Sequence, residues 1–191
     1  MALLITASTP ASWMKRGALL GLFLLGATTA WSQIAAREYQ IKAVFLFNFA
    51  QFVEWPPAAF PEATSPLIIG VLGPDPFGRA LDETVRGEKI GDRPLVIRRY
   101  QRVTDVDQCH ILFINQAETG TLEQTLDALK GRSILTVADA EGFALRGVMV
   151  RFVNEKNRIR LRINLDEAKA AGLTISSKLL RPAEIISTRR N

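Results

Sequence analysis

The sequence predicts one α/β domain: a mostly parallel sheet covered by helices on both faces, with an antiparallel hairpin near the C-terminus. Three observations carry this. Short, near-continuous apolar runs alternate with amphipathic helical stretches from Leu67 to Asp139, the order expected of parallel strands buried on both faces. Two strictly alternating runs follow, joined by the polar turn "NEKN". Of the 191 residues only one is cysteine, Cys109, so no internal disulfide is available and an apolar core must hold the fold.

The first 32 residues stand apart. Lys15 and Arg16 are their only charges, "GALLGLFLLGA" follows, and then the small residues of "TTAWS". Basic, apolar, small is the order of a secretory signal peptide, with cleavage after Ala30 or Ser32 and Met14 as a possible start. The apolar run of eleven residues is short of the ~20 needed to span a bilayer. The expected exported domain is therefore residues 33–191, soluble and without membrane insertion of its own. Removing Lys15 and Arg16 from the formal +5 leaves 22 basic against 19 acidic residues, a net +3 that calls for no nucleic acid.

Within the domain, residues 35–53 read as a helix, with Ile41, Phe45, Phe49 and Phe52 on one face. Pro56 and Pro57 stop it. Five of the eleven residues from Phe45 to Trp55 are aromatic; at helical spacing they read as core, and only Arg37 and Lys42 are available for the basic face of a membrane-surface helix. Leu67–Leu72 is a buried strand, and Asp75 is placed to cap a helix whose first residue is Pro76 and whose end is Gly87. Leu95–Tyr100 and Cys109–Ile114 are the next strands. A helix with Leu122, Leu126 and Leu129 on one face closes at Gly131, before the strand "SILTVAD". The hairpin pairs Val148, Val150 and Phe152 with Ile159, Leu161 and Ile163 as its inner face. Two helical stretches end the chain, "LDEAKAAGL" and "KLLRPAEII", the second capped by a serine of "TISS".

Little in the chain points to catalysis. The loop "GVLGPDPFG" fits neither dinucleotide nor P-loop spacing. Cys109 and His110 are strand neighbours whose side chains leave on opposite faces, so they do not make a nucleophile–base pair. His110 is the only histidine, and with one cysteine the chain offers no zinc ligand set. Ser176 and Ser177 lack a nucleophile-elbow setting. No catalytic, cofactor or metal site is expected. Arg158, Arg160 and Arg162 share one face of the second hairpin strand, either as charges guarding a sheet edge or as a surface for acidic partners.

Taken in order, "IKAVFLFNFAQFVEWP", "IIGVLGPDPFG", "CHILFI", "SILTVADAEGFALRGVMVRFV" and "RIRLRINLDEAKAAGLTISSKLL" resemble the YfiR-like periplasmic proteins over about residues 36–186. The resemblance implies an α/β domain, export to the periplasm, a homodimer, no catalysis and no cofactor. It also implies repression of a membrane-bound diguanylate cyclase of the YfiN type through its periplasmic sensor region, lowering cyclic di-GMP and biofilm formation. The alternative is a small-ligand sensor acting on a histidine kinase or other membrane receptor. The expected partner surface is Arg158, Arg160 and Arg162 with Asp166, Glu167 and Lys169; a ligand groove is expected near Trp55 or Phe77. The resemblance also implies cysteines where this chain has Gly70, Ala144 and Arg151, and a Gly-Gly where it has Arg146-Gly147. Redox sensing through paired cysteines is therefore not expected here.

Overall fold

The computed structural model describes residues 36–115, 119–139, 147–156 and 158–187. The expected leader, Ala144 and Arg146 lie outside them. The compact unit spans Glu38–Asn191. Its first helix, α1 (residues 36–52), runs into the short strand β1 (Val53–Glu54), and Pro56 and Pro57 then force a 3-10 turn. Next come β2 (Leu67–Leu72), α2 (Arg79–Val85), β3 (Lys89–Ile90), β4 (Arg93–Tyr100), β5 (Ile111–Ile114), α3 (Thr119–Ala128) and β6 (Leu135–Ala138). The chain ends with β7 (Val150–Glu155), β8 (Arg158–Asn164), α4 (Leu165–Ala170), β9 (Thr174–Ile175), α5 (Ser177–Leu180) and β10 (Glu184–Ile186).

Among the described residues eight strands form one sheet in the order β10-β8-β7-β6-β5-β2-β4-β3. Pairing is parallel from β4 through β7, and the β7–β8 hairpin is antiparallel. The fold is thus the mixed α/β domain that the residue pattern predicts. Alternation along the strands divides the core in two. Ile69, Ile111, Phe113, Val137, Phe152 and Ile163 face one side, together with residues of α1, α2, α4 and α5. Leu72, Leu112, Ile114 and Ala138 face the other, with Leu122 of α3 and Leu129 just after it. The second cover stops short of the hairpin. On that side β7 and β8 present Arg151, Val153, Arg160 and Arg162.

The aromatic stretch of α1 is core, but its buried line is not the predicted one. Ala43, Leu46, Phe49 and Ala50 are sealed, whereas Ile41 is 44% exposed. Phe45 and Phe49 pack on Phe152, at centroid distances of 5.8 and 6.0 Å, and that contact sets the rotation of the helix. Lys42 joins the buried side because its ammonium has carboxylates to meet there.

Three further expectations need correction. Asp75 does not cap a helix at Pro76. Its Oδ1 accepts from the Phe77 N–H at 2.8 Å in a local turn, and its other oxygen holds Arg99 at 2.7 Å, so α2 starts only at Arg79. The strand of three arginines is not at an edge, because β10 pairs with β8 in parallel. That follows from the third correction: "KLLRPAEII" is helical only to Leu180. Pro182 cannot continue a helix, and the β-branched Ile185 and Ile186 take up the free side of β8. The strand predicted from Cys109 begins at Ile111. Ser176 is the predicted cap, its Oγ accepting from the Lys178 N–H.

Gly70 occupies a crowded point of β2. A Cβ there would lie 2.8 Å from Cys109 Sγ, Leu112 Cδ1 and Tyr100 Cε2. The glycine is what lets these three side chains converge.

Candidate partner-binding surface and cavities

The hairpin builds the first candidate surface. Register places Arg151 opposite Arg162, Val153 opposite Arg160 and Glu155 opposite Arg158. Glu184 of β10 lies opposite Arg162 on the other flank. Arg162 is consequently tied down: its Nε meets Glu184 at 2.6 Å and an Nη meets Glu155 at 3.2 Å. Arg158 and Arg160 are exposed, and among the described residues neither has an ion-pair partner. An arginine held by two carboxylates is committed to the fold, while two free ones on the same strand can meet an incoming carboxylate in bidentate fashion.

Helix α4 leaves directly from β8. Asn164 caps it, its Oδ1 accepting from the Glu167 N–H at 3.2 Å. Asp166 and Glu167 sit in its first turn and Lys169 in its last, matching the helix dipole. Ala168 buries α4 in the core cluster of Leu161 and Ile163, on the sheet side opposite to Arg160 and Arg162. The six residues singled out from sequence thus form two adjoining patches on opposite sides of the sheet, not one continuous surface.

Trp55 and Phe77 are not brought together. The Trp55 indole Nε1 donates to the His110 carbonyl at 3.2 Å. Phe77 is buried between Tyr39 and Phe113, with centroids at 5.4 and 4.8 Å. Neither residue lines either of the two cavities described next.

The larger cavity, about 330 Å³, is a groove between the end of α3 and α4. Glu123, Leu126 and Asp127 form one wall, Glu167 and Ala170 the other, and Thr136 and Met149 lie at the floor. The smaller, about 50 Å³, adjoins a buried charge cluster where α1 meets the end of β6. There Lys42 Nζ lies 2.6 Å from both Asp139 and Glu38, and the Tyr39 hydroxyl donates to Asp139 at 3.0 Å. Burial and the Asp139 carboxylate both hold the Tyr39 phenol well above its ordinary pKa.

His110 and Cys109 diverge as alternation demands. The His110 ring accepts from the Ile68 N–H at Nδ1, 3.0 Å, and its Nε2 lies 3.2 Å from the Ala59 carbonyl. That pattern requires the neutral ring protonated at Nε2. The ring stacks on Phe60 at 4.4 Å, and Arg93 covers the far side of Phe60 at 3.7 Å. Burial, with Arg93 nearby, pushes the imidazole below its usual pKa. Cys109 is buried against the Ile111 carbonyl, and its thiol is pushed up to about 12 by burial. The two do not form a nucleophile–base pair, and a thiol so placed is a poor nucleophile. Among the described residues no group of three or more His, Cys, Asp or Glu side chains is placed to hold a metal ion.

The charge cluster and the groove were not legible in the sequence. Glu38 and Lys42 at i, i+4 were the only local signal; Asp139 and Glu167 reach these places through the sheet topology.

Two comparisons bear on identity. The family model described as YfiR/HmsC-like matches residues 39–184, from α1 to the first residue of β10. No curated protein matches the sequence significantly.

Proposed function

The chain belongs to the YfiR/HmsC-like family, generally periplasmic regulators of diguanylate cyclases, and from that premise we propose that it restrains a membrane-bound cyclase. In this reading it is exported by its N-terminal leader and contacts the cyclase's periplasmic sensor region. Restraint lowers cyclic di-GMP and, with it, biofilm formation. The family match over residues 39–184, from within α1 to the first residue of β10, is the observation that carries the reading. Among the described residues no helix is long and apolar enough to cross a membrane.

The contact surface is centred on Arg158 and Arg160; Asp166 and Lys169 of α4 lie on the other side of the sheet and form a separate patch. Among the described residues Arg158 and Arg160 have no ion-pair partner, and the strand pairing on both sides of β8 fixes the backbone from which they offer donors to carboxylates of a partner. The protein acts as a homodimer here, which leaves two such strands per regulator. The test is the R158E/R160E double variant, expressed with the host's own membrane cyclase. Both side chains are exposed, so the unfolding free energy should shift by no more than ~0.5 kcal/mol. Co-purification with the cyclase should be lost and cyclic di-GMP should rise. A fully restraining R158E/R160E variant would reject this surface.

A ligand-tuned version of the same regulator is favoured by one observation, the groove between α3 and α4, which borders Glu167.

A further inference from the structure

We infer that the groove between α3 and α4 is a binding site for a small organic cation, a guanidinium or ammonium group carried on an apolar chain. Its volume, about 330 Å³, lies at the lower end of ligand pockets, which run from about 300 to 1,000 Å³. The lining is apolar in the middle: Leu126 on one wall, Met149 at the floor and Ala170 opposite. Its charges then sort into used and unused. Asp127 is paired with Lys130 at 2.8 Å. Arg132 is turned away, its guanidinium donating to the carbonyls of Val106 and Asp107. Glu123 and Glu167 remain, on opposite walls, with no ion-pair partner among the described residues.

Two more features favour positive charge. Glu167 itself lies in the first turn of α4, but two other parts of the lining are C-terminal ends of helices: the last turn of α3, and Ala170 with Ala171 at the end of α4. Those are the negative ends of the helix dipoles. At the floor Thr136 is only 3% exposed, and its hydroxyl accepts from the Met149 N–H at 3.1 Å. A hydroxyl has two lone pairs and one proton, so Thr136 keeps one acceptor position for a ligand N–H. An anion would meet two unpaired carboxylates here, and an uncharged apolar ligand would leave both without a partner. The site does not depend on the partner reading, since it uses none of Arg158, Arg160 or Arg162.

The test is calorimetric titration of the exported protein with agmatine, a guanidinium on a four-carbon chain ending in an amine. N-butylurea, uncharged and of similar length, is the control. Saturable agmatine binding is expected, weakened about ten-fold in the E123Q/E167Q variant, and several-fold when salt is raised from 20 to 300 mM. N-butylurea should not bind. Both glutamate side chains lie at accessible walls, so E123Q/E167Q should keep its thermal midpoint, which is measured alongside. Absence of saturation at 10 mM agmatine, or equal affinity in E123Q/E167Q, would overturn the inference. Either result leaves the R158E/R160E experiment unaffected, so failure of the site and failure of the regulatory reading are separable.

Discussion

Replacing Lys42 by methionine should be among the most damaging single changes in the domain. The side chain is 5% exposed, and its ammonium sits 2.6 Å from carboxylate oxygens of both Asp139 and Glu38. Glu38 is 28% exposed and can turn to water, so its share is that of a partly screened pair, ~0.5 kcal/mol. Asp139 is 12% exposed and keeps only the Tyr39 hydroxyl among the partners described here. Removing one member of a buried pair typically costs about 3–5 kcal/mol, because the other is left charged and unpaired. We expect K42M to cost about 3 kcal/mol, which moves the urea midpoint down by ~1–2 M. The assay is urea unfolding followed by tryptophan fluorescence and circular dichroism. A K42M/D139N double variant should recover about half the loss, since it removes the stranded charge. A K42M loss below ~1 kcal/mol, or a double variant no better than K42M, would refute the argument that Asp139 depends on Lys42.

Other outcomes follow from the same geometry. Because His110 titrates below its unfolded value, the unfolded state binds the extra proton first; stability is full above about pH 6.5 and declines as pH falls below it. The urea midpoint of the wild type should therefore drop between pH 7 and 5, and H110Q, whatever its starting stability, should lose that slope. Native Cys109, buried and with its pKa near 12, should resist thiol reagents until the protein is unfolded. G70C should form a disulfide with it on oxidation, since the Cβ-to-sulfur distance of 2.8 Å is close to the ~3 Å across a C–S–S linkage. That bridge closes a loop of about 40 residues and adds at most ~4 kcal/mol, less what Leu112 and Tyr100 lose in making room; two free thiols in oxidised, denatured G70C would contradict it.

Most of the parallel half of the sheet was readable because β2, β5 and β6 are continuous apolar runs buried along their length. Leu67–Leu72 and the Leu122, Leu126, Leu129 face fall where the pattern puts them. Three places were not readable, each for a stated reason. Periodicity locates a helix but not its rotation, which on α1 is fixed by Phe152 and by the carboxylates waiting for Lys42. A short β-branched run after a proline is ambiguous until a strand edge is available, and β8 supplies one for Ile185 and Ile186. Asp75 is a cap by sequence and a clamp on Arg99 in space, because the β2–β4 pairing brings Arg99 beside it. The arginine strand was visible as a pattern, but which of its members are free was not. Glu184, which occupies Arg162, arrives 22 positions later in the chain.

The most direct measurement is the cyclic di-GMP level of host cells with the gene present, deleted, and restored as wild type or R158E/R160E. Cyclic di-GMP should rise on deletion, return to the starting level with the wild type, and not return with R158E/R160E. An unchanged or lower level on deletion would contradict the claim that this protein restrains a diguanylate cyclase.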